Sequence, residues 1–244
     1  MQDWDPAVTG VPGEEWWTGY GNSAEEYLAS GRRDAATMLD MLHAAGYVPS
    51  KGDTVLDFGC HAGRMLRWLP TGADVSYWGV DTNSAVIRFC EESFPGASFR
   101  FAVTTELPHL PFSDGEFSLV IAGSVFTHID DLTLAWFLEL RRVLPVGGHL
   151  YVTIHDESTV RILRQPGADS WLANYLRVLK TFEKCSLERS AMFTVGRGPD
   201  SQVFHRRKWL TGRLSGLFEL ESVREGAYGC FKDPYQTGLL LRRI

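Results

Sequence analysis

The chain has 244 residues, 44% of them hydrophobic, which is enough for a large buried core and favours a single α/β domain spanning residues 1–244. Its 24 basic and 30 acidic residues give a formal net charge of -6 and are spread along the chain, so no polybasic segment suits a nucleic acid or an anionic membrane. We therefore expect a small or weakly charged substrate; the oligomeric state is not encoded.

The chain start and the cysteines exclude other classes. The opening residues carry acids and prolines instead of the basic start and apolar run of a secretory signal, and no segment is long enough to span a bilayer. A cytoplasmic protein without membrane association is the resulting expectation. The cysteines are widely separated, with no CxxC pair and no histidine spacing typical of zinc, and indicate reduced thiols and no metal site.

Residues 1–45 are expected to form an irregular arm followed by helix. The arm is rich in Trp, Gly and acids, with large apolar anchors at Trp16, Trp17 and Tyr20. The apolar spacing over residues 24–43 suits one or two amphipathic helices with a break near Gly31.

Strands and helices alternate over residues 46–155. Apolar runs predict strands at residues 54–58, 75–81, 98–103, 117–122 and 149–155, and helical patterns lie at residues 62–69, 84–94 and 132–144. This alternation with short connections is typical of a doubly wound, Rossmann-like sheet of parallel strands with helices on both faces.

The pattern changes after residue 155. Residues 156–215 hold a long helical candidate at 170–183 and an unassigned polar segment at 196–201, and we interpret this section as a helical cap or substrate insertion. Within residues 216–244, two strands at 218–223 and 237–241 follow each other without a helix and are expected to be antiparallel. The expected fold is α/β, with a mostly parallel seven-stranded sheet, an antiparallel final strand and a helical cap.

A glycine-containing turn follows the first strand. Residues 55–64 read Val-Leu-Asp-Phe-Gly-Cys-His-Ala-Gly-Arg, with Asp57 near the strand end and Gly59 and Gly63 where a helix is expected to begin. Such a turn brings backbone N–H groups and a helix N-terminus close to an anionic ligand. Asp81 ends the second strand, at about the interval at which doubly wound folds place a carboxylate on a ribose diol. Both features predict a bound nucleoside.

Four sequence blocks carry a resemblance to a known family. The turn resembles the motif of class I S-adenosylmethionine-dependent methyltransferases, in which hydrophobic residues and an acid precede Gly-x-Gly-x-Gly. Residues 110–117, 124–128 and 136–148 are similar to successive blocks of a small-molecule subgroup of that family. The resemblance covers about residues 46–155, and weakly residues 218–243, and it depends on the order and spacing of the blocks.

The resemblance implies S-adenosylmethionine as the cofactor and assigns residues to it. Gly59 and Gly63 would line the turn near the methionine part, Asp57 would lie beneath the turn, and Asp81 would accept both ribose hydroxyls. The further residues implied at the cofactor are Thr82, Val103 and Thr104 beside the adenosine, and Ser124 near the sulfonium. The alternatives are an ordinary tight turn for the glycines and a helix N-cap for Asp81.

One position departs from the family pattern, because His61 stands where the family has the central glycine of the turn. Histidine is among the residue types that tolerate positive φ. Two interpretations remain open: His61 hydrogen-bonds the cofactor carboxylate or a substrate group, or it points away and has no chemical role.

Methyl transfer from a sulfonium is a direct displacement, so aligning the nucleophile and excluding water can suffice. If the acceptor loses a proton, histidine is the first candidate base. His128 and His155 follow the fourth and fifth strands, where a doubly wound sheet forms its ligand crevice. The alternatives are a backbone-bonded helix residue for His128 and a structural role for His155, with Asp156 as the orienting partner of His155 if it is catalytic.

Several aromatic and histidine positions complete the candidate substrate site. Tyr20 lies in the arm, whose rings either face the sulfonium or pin the arm to the core. His205 is expected on a surface element, although the family subgroup often has a histidine near this point. Tyr228, Tyr235 and Gln236 are expected in the loop between the last two strands, which shapes the acceptor pocket in this family.

The expected function is S-adenosylmethionine-dependent methyl transfer to an oxygen, nitrogen or carbon of a small molecule. One alternative is a protein that binds the cofactor without turnover or uses it for other chemistry, as His61 warns. A nicotinamide oxidoreductase is the other, and the glycine spacing disfavours it because Gly59 and Gly63 do not make Gly-x-Gly-x-x-Gly.

Overall fold

The computed structural model describes residues 10–17, 19–70, 74–94, 96, 98–196, 198, 201–232 and 234–244, so residues 1–9 of the expected arm lie outside the described part. The described strands are β1 (Thr54–Phe58), β2 (Ser76–Asp81), β3 (Phe99–Val103), β4 (Leu119–Ala122), β5 (His149–Ile154), β6 (Met192–Val195), β7 (Gln202–His205), β8 (Phe218–Gly229) and β9 (Pro234–Arg243). The described α-helices are α1 (Ala24–Ala44), α2 (Ser84–Ser93), α3 (Thr133–Val143), α4 (Glu157–Leu163), α5 (Trp171–Val178) and α6 (Arg207–Leu214).

Seven strands form one sheet in the order β3-β2-β1-β4-β5-β9-β8. Strands β1 to β5 pair in parallel, and β9 is antiparallel to both of its neighbours. The predicted fold class is therefore confirmed. The chain adds β2 and β3 on one side of β1, and β4 and β5 on the other. The segments that follow β1 and β4 therefore leave the sheet in opposite directions, and such sheets bind ligands at this switch point.

Two apolar layers cover the faces of the sheet. Alternate residues of β1 belong to different layers: Val55 packs with α1 residues such as Met38, whereas Leu56 packs with α3 residues such as Phe137. This alternation follows from the pleat, which points successive side chains to opposite faces. Both faces of the central strands are therefore buried, which explains why the sequences of these strands are continuous apolar runs.

The helix predicted at residues 62–69 is absent. The chain there forms turns and a short 3-10 helix at Leu66–Trp68, because Gly63 has φ 69°, outside the right-handed helical region. The helix N-terminus that the sequence suggested for anion binding is therefore missing from this turn.

The break predicted near Gly31 is also wrong, because α1 runs without interruption through that residue. Ser23 caps its start by accepting from the Glu26 N–H. Gly31 is needed for close packing: a Cβ there would lie 2.4 Å from the carbonyl oxygen of Arg64. This contact fixes α1 against the turn that follows β1.

The cap differs from the sequence prediction in being only partly helical. The helix expected at 170–183 ends at Val178, and the sequence pattern missed α4, α6 and the antiparallel hairpin of β6 and β7. The hairpin lies beside the end of β5, where the His205 N–H donates to the His155 carbonyl at 2.8 Å. Among the described residues, no helix is long and apolar enough to cross a membrane.

The last two strands are longer than predicted, and they absorb the loop in which the acceptor residues were expected. Tyr228 lies in β8, and Tyr235 and Gln236 lie in β9, so the expectation of a loop position is wrong for all three. Their side chains are buried, as expected for residues held between paired strands.

Candidate functional site

A cavity of about 690 Å³ opens along the carboxyl ends of β1, β2 and β4. Its size is within the ordinary range for small-molecule sites. Ten of the fifteen predicted catalytic, cofactor and substrate residues line it: Tyr20, Asp57, Gly59, His61, Asp81, Thr82, Thr104, Ser124, His128 and Tyr228. The remaining five lie outside the lining: Gly63, Val103, His155, His205 and Tyr235.

Asp81 is held by main-chain donors at the end of β2. Its Oδ2 accepts from the His61 N–H at 2.9 Å, and its Oδ1 accepts from the Asn83 N–H at 2.9 Å. Asn83, not Asp81, caps α2, so the N-cap alternative for Asp81 does not apply. Each carboxylate oxygen has a second lone pair and can accept one further hydrogen bond. The geometry therefore suits a vicinal diol.

The main-chain amides of the cofactor turn, residues 59–63, are largely occupied by the chain itself. The N–H groups of Gly59 and Cys60 both donate to the Val80 carbonyl, at 2.8 and 3.0 Å, and that of Gly63 donates to Cys60. With His61 bonded to Asp81, these four amides cannot also cradle an anion. The sequence expectation of amide donors facing a ligand is corrected here.

The two glycines of the turn have different roles. Gly59 has φ 76°, and a Cβ on it would lie 2.5 Å from Cγ2 of Val125, which lines the cavity. Gly63 has φ 69°, but a Cβ there would strike the Phe94 ring at 2.3 Å, away from the cavity. Gly59 thus shapes the ligand site directly, whereas Gly63 serves the packing of the turn.

His61 adopts the left-handed conformation expected of a residue that replaces glycine, with φ 48°. Its ring lies on the cavity and meets the Trp16 ring edge-on at 6.3 Å. Burial lowers the pKa of His61, so the imidazole is neutral near pH 7 and can hydrogen-bond a ligand without forming an ion pair.

Asp57 is buried beneath the turn and lines the cavity. Burial, with a smaller contribution from Asp81, raises the pKa of Asp57 to about 7. A carboxyl group that titrates near neutral pH in a cavity responds strongly to the charge of a ligand.

Arg64 was not predicted as a site residue, yet it is the one arginine or lysine among the described lining residues. Its guanidinium donates to Asp34 at 2.8 Å and to Ser30 at 3.1 Å, and lies 3.9 Å from the Tyr20 ring centroid. Asp34 is fully buried and also binds Arg33, so two guanidinium groups share one carboxylate. The excess positive charge suits an anionic group of a ligand. A basic residue inside the apolar run 62–69 was the available signal.

The arm packs against this cluster. Trp17 donates to the Pro12 carbonyl at 2.9 Å and stacks on Tyr27, and Trp16 contacts Phe89. Tyr20 meets the Tyr228 ring edge-on at 6.0 Å, and both rings flank the Arg64 guanidinium. The two tryptophans therefore anchor the arm, and Tyr20 reaches the cavity.

The three histidines occupy different environments. His128 is exposed at the cavity, and its Nδ1 lies 2.9 Å from the Ser201 carbonyl. His155 is buried between the rings of Phe204 and Tyr235, and burial lowers its pKa far below the usual value. His205 is fully buried, bonded to the Phe126 carbonyl at 3.1 Å, so the expected surface position is wrong.

Asp156 does not orient His155. One of its carboxylate oxygens accepts from the Ser158 and Thr159 N–H groups at the start of α4, and the other lies 3.3 Å from Arg207. This capping role follows the usual preference for aspartate at a helix N-cap. The expected pairing of the two neighbouring residues is therefore corrected.

Val103 and Tyr235 also lie away from the cavity. Val103 is half exposed at the end of β3, and Thr104, the next residue, takes the cavity position. Tyr235 packs in the cap core with Phe204 and Leu176. Its neighbour Gln236 turns toward Ser124, to which its Nε2 donates at 2.8 Å.

Comparisons with known proteins agree with this fold. Residues 56–152 match the family model described as methyltransferase domain. A malonyl-[acyl-carrier protein] O-methyltransferase of Geobacter sulfurreducens is 28% identical over 141 residues, which are 57% of this chain and 51% of that protein. The chain thus matches about half the length of this relative.

Solved structures share the architecture at low identity. The magnesium protoporphyrin IX methyltransferase of Synechocystis PCC 6803, solved with bound SAH, aligns with a TM-score of 0.63 and 17% identity over 95% of this chain and 92% of that one. A SAM-dependent methyltransferase of Methanosarcina mazei aligns with a TM-score of 0.58 and 21% identity over 83% of this chain and 97% of that one.

The sheet order, the turn after β1 and the carboxylate after β2 define a class I, Rossmann-like cofactor-binding domain. Residues 56–152 thus carry a methyltransferase domain, and the chain shares the fold of solved S-adenosylmethionine-dependent methyltransferases.

Proposed function

We propose that this chain transfers the methyl group of S-adenosylmethionine to an oxygen, nitrogen or carbon of a small molecule by in-line displacement. The observation that carries the proposal is that Gly59, Asp81 and His128 line one and the same cavity at the switch point of the sheet. A cytoplasmic location and a single-domain organisation belong to the same proposal.

The residues present fit the cofactor. Asp81 would accept the two ribose hydroxyls with the lone pairs that its main-chain donors leave available. Arg64 would bind the carboxylate, because the excess charge beside Asp34 lies on the cavity wall. The rings of Tyr20 and Tyr228 hold the Arg64 guanidinium at this wall by cation–π contact.

When bound, the cofactor supplies a methyl group on a positively charged sulfur. The protein must then hold the acceptor in line and keep water away. Tyr20 and Tyr228 border the site with large rings, and Gly198 and Ser201 also line it. This enclosure fits a reaction in which positioning supplies most of the catalysis.

His128 is our candidate for the base, where the acceptor has a proton to lose. A carbonyl can only accept, so the contact with Ser201 places the proton of a neutral ring on Nδ1 and leaves Nε2 as the basic nitrogen. His155 is the weaker candidate, since its ring is buried outside the cavity lining.

The class of methyl acceptor can be tested with a panel of compounds chosen from the names of similar proteins. The names of these similar proteins mention malonyl-[acyl-carrier protein], magnesium protoporphyrin IX and geranyl diphosphate. A first panel should therefore contain carboxylic acids and their thioesters, tetrapyrrole carboxylates, prenyl diphosphates, phenols and amines.

The test is release of S-adenosylhomocysteine from S-adenosylmethionine in the presence of each panel member, with the His128→Gln variant beside the wild type. We expect turnover with at least one acceptor class, and a loss of roughly 100-fold in kcat for His128→Gln if proton removal is required. Binding of the cofactor with no turnover across the panel would favour the alternative of a binding protein or of other cofactor chemistry.

A further inference from the structure

Ser124 lies at the end of β4 in a conformation that costs a non-glycine residue free energy. Its φ is 61°, and it lines the cavity. A Cβ in this left-handed region crowds the following carbonyl oxygen. The adjacent residues form the cavity wall: the Val125 side chain faces Gly59, and the Gly123 carbonyl accepts from the Tyr228 hydroxyl at 3.4 Å. The backbone of Ser124 therefore sets the wall opposite the cofactor turn.

Two buried side chains close a hydrogen-bonded ring on Ser124. Its N–H donates to Oγ1 of Thr153 at 2.7 Å, and that hydroxyl donates to Oε1 of Gln236 at 2.6 Å. Nε2 of Gln236 then donates to Oγ of Ser124 at 2.8 Å. Thr153 and Gln236 are both buried, so solvent competes little for these bonds.

A third side chain engages the remaining polar groups of Ser124. The Thr127 hydroxyl donates to the Ser124 carbonyl at 2.9 Å, and the two hydroxyl oxygens lie 3.1 Å apart. The N–H, the carbonyl and the hydroxyl of Ser124 are thus all held by neighbours. Such over-determination is what keeps a residue in a sparsely populated backbone region.

We infer that Gln236 is a positioning residue for this site. Its amide accepts from one hydroxyl and donates to another at once, which neither a carboxylate nor an aliphatic side chain of similar size can do. Without it, Ser124 relaxes toward ordinary φ, and the wall of residues 123–125 leaves the binding geometry for part of the time. The apparent affinity for the cofactor falls by the lost fraction. This inference rests on the proposed function, because it takes the wall as part of the cofactor site.

The test is a double-mutant cycle read by calorimetric titration with S-adenosylhomocysteine. The proteins are the wild type, Gln236→Leu, Ser124→Gly and the double variant. We expect Gln236→Leu to weaken binding roughly tenfold. The same change in the Ser124→Gly protein should have no further effect, since glycine takes positive φ freely.

Thr237→Val is the matched control. Thr237 is the next residue of β9 and equally buried, but its hydroxyl donates to Asp156 at 2.9 Å. We expect this variant to lower thermal stability and to leave the affinity for S-adenosylhomocysteine unchanged.

Two results would overturn the inference: wild-type affinity in Gln236→Leu, or an equal loss of affinity in both backgrounds, which would indicate general damage to the fold. Should Gln236→Leu not unfold cooperatively, Thr153→Val breaks the same ring with a side chain of nearly the same shape, and the same outcomes apply. A wild-type protein that gives no heat would refute the proposed cofactor site and this inference with it. Binding by the wild type with no coupling would refute the inference alone.

Discussion

Replacing Gly59 with alanine tests how the turn shapes the cofactor site. The new Cβ would lie 2.5 Å from Cγ2 of Val125, too close to be tolerated, and φ 76° adds left-handed strain of about 1–2 kcal/mol. Turning the Val125 side chain away adds about 1 kcal/mol and moves it within the cavity. We expect an affinity for S-adenosylhomocysteine about tenfold weaker, equivalent to about 1.4 kcal/mol, by calorimetric titration.

Gly46→Ala separates strain from shape. Gly46 has a similar φ of 81°, and a Cβ there would meet nothing within 4 Å. Urea unfolding should show the left-handed strain of about 1–2 kcal/mol in Gly46→Ala and about 1 kcal/mol more in Gly59→Ala, whose Val125 side chain must also turn. The affinity of Gly46→Ala should stay at the wild-type value. Adding Val125→Ala to Gly59→Ala removes the struck methyl group and should restore most of the binding. Equal affinity losses in the two glycine variants would refute the reasoning.

Three further predictions concern charge. His205→Gln should reduce the acid sensitivity of the fold, because burial lowers the pKa of His205 to about 4 from 6.5. The stability that the neutral imidazole contributes is present above pH 6.5 and is lost as the pH falls toward 4. The difference in unfolding free energy between variant and wild type should therefore change by about 3 kcal/mol between pH 7 and pH 4 in urea unfolding, and a constant difference contradicts the prediction. The pKa of Asp57 is raised to about 7, and the cationic amino group of S-adenosylhomocysteine favours the ionised carboxylate. The affinity for this ligand should therefore rise up to roughly 25-fold from pH 5.5 to 7.5 by calorimetry. Asp57→Asn should flatten this pH profile, and parallel profiles in the two proteins would contradict the prediction. Arg64→Met should weaken S-adenosylhomocysteine at least tenfold but leave methylthioadenosine, which lacks the carboxylate, unchanged; equal losses for both ligands would show that Arg64 acts only on the fold.

The central sheet could be predicted from the sequence because its signals are local. β1 begins and ends where the apolar run does, and β2 to β5 lie within two residues of the predicted bounds. Apolar strands that alternate with helices through short connections predict a parallel sheet with both faces buried. The position of Asp81 at the site follows from the same strand order, because ligands bind at the carboxyl ends of the strands in such a sheet and Asp81 is the last residue of β2.

The cap could not be predicted because its pairing is not local. β6 and β7 are short, and their place depends on bonds from Val203 to Thr127 and from His205 to His155, far apart in the sequence. The burial of His205 is a consequence of that docking, so the expected surface position was wrong. The helix expected after β1 failed for a similar reason, because Gly63 takes a positive φ and the Arg64 carbonyl packs against Gly31 of α1.

Within the site, residue types were predictable but contacts were not. A glycine turn and a carboxylate predict a nucleoside site, yet the turn amides bond to Val80 and Asp81. The anionic end of the ligand therefore falls to Arg64, whose buried partner Asp34 lies 30 residues earlier on α1. Only the fold brings these two side chains together.

Calorimetric titration of S-adenosylhomocysteine into the wild type and Asp81→Ala tests the cofactor site most directly. Asp114→Ala, which removes an exposed carboxylate paired with Arg142, is the control. We expect one site in the wild type and in Asp114→Ala, and binding at least 100-fold weaker in Asp81→Ala, because two hydrogen bonds to a charged acceptor are lost. No heat with the wild type, or equal affinity in all three proteins, would contradict the account.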